Sequence, residues 1–134
     1  MTDILVSKDD GQVVTLTLND APANCLTMEM MSAIKMEIDR VNQSKDHKLV
    51  IFESSNEKIF CSGHSFNEVQ EMIKNNDKKS QELLFAECSE MLMKIRTSPK
   101  IFVAKVRGIA TAGGLGLVSI MAVSYTHLTL PTKA

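Results

Sequence analysis

Two segments of the 134-residue chain place small residues straight after an apolar run. They are Ile59-Phe60-Cys61-Ser62-Gly63-His64-Ser65-Phe66 and Ala110-Thr111-Ala112-Gly113-Gly114-Leu115-Gly116. In each, a strand-like stretch gives way to glycine and then to residues that can open a helix. The first turn of a helix leaves backbone N–H groups unpaired and carries partial positive charge. Two such turns at the carboxyl edge of one sheet could each aim an N–H at a single oxygen, forming an oxyanion hole. Small side chains are required there, because a substrate must approach the backbone itself. The plain alternative is a pair of glycine turns with no ligand. A phosphate loop is disfavoured, since neither GxxxxGK(S/T) nor GxGxxG occurs.

The elements that must position these turns are readable around them. "ILVSKDDGQVVTLTLN" reads as two short strands about Asp9-Asp10-Gly11, with Val14, Leu16 and Leu18 alternating with Val13, Thr15 and Thr17. Pro22 keeps the following loop, "DAPANCL", out of strand pairing. Thr27 can cap a helix whose Met31, Ile34, Ile38 and Val41 fall at helical spacing. "KLVIFES" and "KIFVAKVRG" are apolar runs of the kind buried on both faces of an α/β sheet. Between them, a helix carrying Leu84, Cys88, Met91, Leu92 and Ile95 must end before Pro99. The order β-β-α-β-α-α-β-α predicts one α/β unit with crossover connections. No internal repeat or linker marks a second domain.

Bulk properties narrow the function. A formal net charge of −1, with basic and acidic residues interleaved, excludes a nucleic-acid footprint and a pull toward anionic membranes. Cys25, Cys61 and Cys88 are odd in number and lack CxxC spacing, so each is expected to pack as a reduced, small hydrophobe. No zinc or other metal ligand set is expected. The opening "MTDILVSKDDGQVV" has acids early and no apolar h-region, and no run approaches a membrane span. The expectation is a soluble, cytoplasmic protein.

The same segments resemble a known family. "IFCSGHSFNEV" is similar to the first oxyanion signature of the enoyl-CoA hydratase/isomerase (crotonase) superfamily, F-x-A-G-A-D-L-x-E. "VRGIATAGGLGLV" resembles its second signature, N-G-x-A-x-G-G-G-x-E-L, and "VTLTLNDAPANCLT" its opening strand and acyl-CoA loop, L-N-R-P-x-x-x-N-A-L. All three occur in the family's order, and the resemblance covers residues 1–122. "SGH" with "GIATAGG" is most similar to the branch called enoyl-CoA hydratase domain-containing protein 3. The resemblance implies an α/β, crotonase-like (ClpP/crotonase) ββα-superhelix fold, present here as an incomplete N-terminal part. It implies enolate stabilisation on acyl-CoA thioesters in fatty acid metabolism, with coenzyme A as part of the substrate and no separate cofactor. The oxyanion donors would be the backbone N–H groups of His64 and Gly113. Ala23, Asn24 and Leu26 match the loop that contacts the CoA moiety, and Ser65, Phe66 and Asn67 would line the acyl-CoA path. A homotrimer or hexamer is expected of the full-length parent.

Departures from the family pattern carry expectations of their own. The glutamate that acts as general acid/base three positions after the second donor is replaced by Gly116, and its downstream partner is not recognisable. The fragment itself is therefore expected to be inactive as a hydratase. A non-catalytic acyl-CoA-binding protein, a thioesterase and a decarboxylase on the same scaffold stand as alternatives. The His64 imidazole reads as a bystander at a loop tip, with a replacement proton carrier as the other reading. Glu53, Glu57, Glu68, Glu71, Glu87 and Glu90 read as solvated surface acids. Residues 123–134, "VSYTHLTLPTKA", match nothing in the family and read as a non-native tail outside the fold.

Overall fold

Alternating Val13–Leu18 does become a strand with one buried face, and the rest of the molecule is assembled on that face. In the computed structural model, which describes residues 3–127, β1 (Leu5–Asp10) and β2 (Val13–Leu18) pair antiparallel. There follow α1 (Met28–Gln43), β3 (Leu49–Ser54), β4 (Ile59–Cys61), α2 (Phe66–Lys74) and α3 (Lys78–Thr97). The chain continues through β5 (Ile101–Arg107), β6 (Ile109–Ala110), α4 (Gly113–Ser119) and β7 (Val123–His127). The main sheet has the order β1-β2-β3-β5-β7, parallel from β2 onward. A second sheet consists only of β4 and β6, also parallel.

Helix boundaries fall where local chemistry puts them. Thr27 Oγ1 accepts the Met30 N–H at 3.1 Å, satisfying one of the orphan donors at the start of α1. α3 ends at Thr97, ahead of Pro99. The α1 stripe of Met30, Met31, Ile34, Ile38 and Val41 joins one core with Val14, Leu16, Leu18, Val50, Phe52, Phe102, Ala104 and Val106. Each fully buried aliphatic side chain there contributes roughly 1.5–3 kcal/mol relative to exposure. Lys35 of α1 pairs with Glu87 and Glu90 of α3, holding the two helices together across their rims.

The structure departs from the sequence expectation in three places. β3 and β5 are buried on one face only: Val50, Phe52, Phe102, Ala104 and Val106 point into the core, whereas Ile101 is 54% exposed and Lys105 and Arg107 face solvent. A continuous apolar run looks the same whether its second face is covered or open. The second turn does not leave directly from the long strand either. At Gly108 (φ 74°) the chain bends out of the main sheet into β6, where a Cβ would come within 2.1 Å of the Lys58 backbone. Finally, Val123–His127, read from sequence as lying outside the fold, extends the main sheet as β7 against β5. The unpaired backbone groups on the edge of β5 are the reason an extended segment pairs there. Residues 128–134 of the expected tail lie outside the described residues.

Candidate functional site

The two-stranded sheet positions the site. β4 and β6 run parallel with Ile59 opposite Ile109 and Cys61 opposite Ala110, so both strands deliver their turns to the same edge. The first turn, Ser62–Ser65, feeds α2, and the second, Thr111–Ala112, feeds α4. They meet at two glycines. Gly63 has φ 90°, a conformation L side chains rarely adopt, and a Cβ on it would lie 2.8 Å from the Gly113 nitrogen. Ala112 is held at φ 49°, ψ −122°, a strained conformation for a residue with a side chain. Among the described residues, neither the His64 N–H nor the Gly113 N–H has a hydrogen-bond partner.

The loop read as an acyl-CoA contact forms the back wall of the first turn. The Ser62 N–H donates to the Ala23 carbonyl at 3.1 Å, and the Leu26 N–H donates to the Gly63 carbonyl at 2.7 Å. The Asn24 side chain is 1% exposed and fully engaged. Its Oδ1 accepts the Asp20 N–H at 2.7 Å, and its Nδ2 donates to Ser54 Oγ at 2.7 Å and to the Phe60 carbonyl at 3.0 Å. Leu26 is wholly buried. The side chains of Asn24 and Leu26 therefore hold the turn in place from the interior. Ala23 is half-buried.

Around the turn, Ser65 Oγ accepts the Glu68 N–H at 3.3 Å and caps α2. Phe66, 76% exposed, and Asn67 project from the first turn of that helix. An open depression of about 560 Å³ runs along α2, lined by Asn67, Gln70, Glu71 and Lys74 among others, with neither His64 nor Gly113 in its wall. The His64 ring is not a free loop tip. Its Nδ1 lies 3.2 Å from the Leu26 carbonyl, and its ring meets Phe85 edge-to-face at a centroid distance of 5.9 Å.

Cys61 is wholly buried beneath the first turn, and burial pushes its thiol up to about 11, the Gly63 N–H opposing the rise in part. Cys25 and Cys88, expected to be buried as well, are only half-buried, and Cys25 Sγ lies 3.5 Å from Ser62 Oγ. Burial also raises the Cys88 thiol.

Several of the six acids are better occupied than a solvated face implies. Glu87 and Glu90 pair with Lys35, Glu57 with Arg107, and Glu53 with Thr17 and Lys105. Glu68 has a buried Oε1 without a partner among the described residues. At the position of the family's glutamate, a Cβ on Gly116 would meet nothing within 4 Å. Sequence reasoning read Gly63 as a turn glycine but not that its bare Cα lies against the Gly113 amide, a contact between residues fifty positions apart. Nothing in the sequence pointed to Phe85.

A profile of the enoyl-CoA hydratase/isomerase family matches residues 13–125. The chain belongs to that family. It is 31% identical over 112 residues to the rat protein called enoyl-CoA hydratase domain-containing protein 3, mitochondrial, covering 84% of this chain and 36% of the relative. It is 32% identical over 108 residues to the zebrafish 3-hydroxyisobutyryl-CoA hydrolase, mitochondrial, covering 80% and 28%. The chain thus spans about a third of the length of these curated relatives. Among solved structures, an enoyl-CoA hydratase from Mycobacterium smegmatis superposes with a TM-score of 0.85 at 31% identity, over 93% of this chain and 48% of that one. Human enoyl-CoA hydratase domain-containing protein 3 shares the fold with a TM-score of 0.85 at 24% identity, over 92% and 48%. The fold is that of the crotonases. No helix among the described residues is long and apolar enough to cross a membrane.

Proposed function

We propose that this chain supplies the thioester-binding half of an acyl-CoA enzyme, with the N–H groups of His64 and Gly113 as donors to the thioester oxygen. One observation carries the reading: two amides without partners among the described residues stand on turns that leave the same edge of the β4–β6 sheet and touch at Gly63 and Gly113. As negative charge grows on the oxygen during enolate formation, donors already in place stabilise it without reorganisation. Ala23, Phe66 and Asn67 lie along the acyl-CoA path, while Asn24, Leu26 and Ser65 hold its wall. The reaction class is isomerisation of a fatty enoyl-CoA ahead of lyase-type addition, which finds no acid at Gly116, carried out by a homotrimer or hexamer. It takes place in the cytoplasm or, as the relatives' names state for them, in the mitochondrion.

A second reading, thioester hydrolysis on the same hole, is favoured by two features. Gly116 carries no carboxylate for water addition, and one relative is named a hydrolase. Calorimetric titration of the full-length protein with a non-hydrolysable acyl-CoA tests the shared core of both. Micromolar binding that free CoA competes away is expected. No heat and no competition would overturn it.

A further inference from the structure

We propose that the His64 imidazole is the proton-transfer group of this site, its Nε2 taking a proton from the carbon next to the thioester carbonyl. The inference rests on the acyl-CoA reading above and adds a residue to it.

The Leu26 carbonyl can only accept, so the Nδ1 that lies 3.2 Å from it carries the ring proton. In the neutral ring, that leaves Nε2 with its lone pair free. The Phe85 ring, edge-to-face at 5.9 Å, fixes the imidazole plane. Cδ2, the atom bonded to Nε2, lies 3.8 Å from where a Gly113 Cβ would stand, so this edge of the ring borders the second turn. At the position of the family's first acid stands Gly116, which has no side chain and open space around it. Glu68, the acid with a buried partnerless oxygen, makes no hydrogen bond to Gly63, His64 or Gly113 among the described residues. Among the described residues, two titratable side chains are held against both turns, and of these Cys61 is wholly buried whereas His64 is only half-buried.

The step balances without a co-reactant. The C–H bond at C2 breaks and its proton goes to Nε2. Its electron pair forms the C1–C2 double bond, and the charge moves to the thioester oxygen between the two N–H groups. The imidazolium then returns the proton to C2, or to C4 when the substrate is a 3-enoyl thioester, giving the 2-enoyl isomer. One base suffices for this shift, whereas water addition uses two groups.

The test is exchange of the C2 protons of butyryl-CoA in D₂O, followed by NMR with the full-length protein. His64→Asn removes Nε2, yet its amide can still donate to the Leu26 carbonyl. Exchange should fall about 10²–10⁴-fold while butyryl-CoA still binds. In His64→Ala, added imidazole should restore part of the exchange, which a merely structural histidine would not allow. Wild-type exchange in His64→Asn, with loss in Gly113→Pro, overturns the role of the imidazole and leaves the acyl-CoA reading standing. No exchange in the wild-type protein also overturns it, and absence of butyryl-CoA binding in that protein overturns both.

Discussion

Gly63 and Gly113 face each other across the junction of two turns, so closely that a methyl on Gly63 would fall 2.8 Å from the Gly113 nitrogen. Nothing but hydrogen separates the first turn from the amide of the second. Gly63→Ala should therefore do two things. Its positive φ should cost about 1–3 kcal/mol of stability. Its methyl should also cover the Gly113 N–H, lowering turnover by about 10²–10³-fold in the full-length protein. Thermal unfolding and steady-state kinetics separate the two effects. Undiminished turnover in the Gly63→Ala variant would show that the Gly113 amide is not used.

The glycines of α4 should respond in opposite directions. A Cβ on Gly114 would lie 2.1 Å from the Cys61 carbonyl oxygen, so Gly114→Ala forces β4 and α4 apart and should cost at least about 1–3 kcal/mol. Gly116 has free space, and Gly116→Ala should stabilise the helix by up to about 1 kcal/mol. Urea denaturation of both variants checks the pair.

Alkali should weaken the fold through Cys61. Its folded thiol is pushed up to about 11, above the ordinary thiol value of 9.0. Between those values the unfolded chain has lost the thiol proton while the native state retains it, so stability falls as pH rises through this window. The loss should reach roughly 2–3 kcal/mol by the upper end. Cys61→Ala should flatten that slope, which denaturant midpoints compared at about pH 8 and about pH 10.5 would reveal.

Hydration of crotonyl-CoA by the full-length protein should be poor, since Gly116 offers no proton at the position the family uses. The space around Gly116 admits a side chain, so Gly116→Glu should raise hydration at least about tenfold. Loss of the enoyl absorbance reports it. Wild-type hydration at the rate of an ordinary hydratase would mean that another group does this work.

Strong local signals were readable in the sequence: the Thr27 cap, the stop before Pro99, the alternation in β2 and the two glycine turns. What escaped depended on contacts distant in the chain. β4 and β6 are three and two residues long, too short to show a period, although they set where both turns emerge. Asn24 reads from sequence as part of the loop that contacts CoA, yet its side chain is buried because Ser54 and Phe60 supply its partners. The His64 ring is oriented by a carbonyl on Leu26 and by Phe85, neither of which its own neighbours reveal. The open face of the main sheet was hidden for a different reason, since hydrophobicity alone does not report whether anything covers it.

The account stands on a thioester oxygen held by the His64 and Gly113 amides, and the vibration of that carbonyl reports it most directly. Butyryl-CoA labelled with ¹³C at the thioester carbonyl, bound to the full-length protein, should show its C=O stretch at lower frequency than in water, because two fixed donors polarise the bond. Gly113→Pro, which lacks one donor, should return most of the shift while the ligand remains bound. A bound thioester whose stretch matches that in water, or a shift unchanged in Gly113→Pro, would contradict the account.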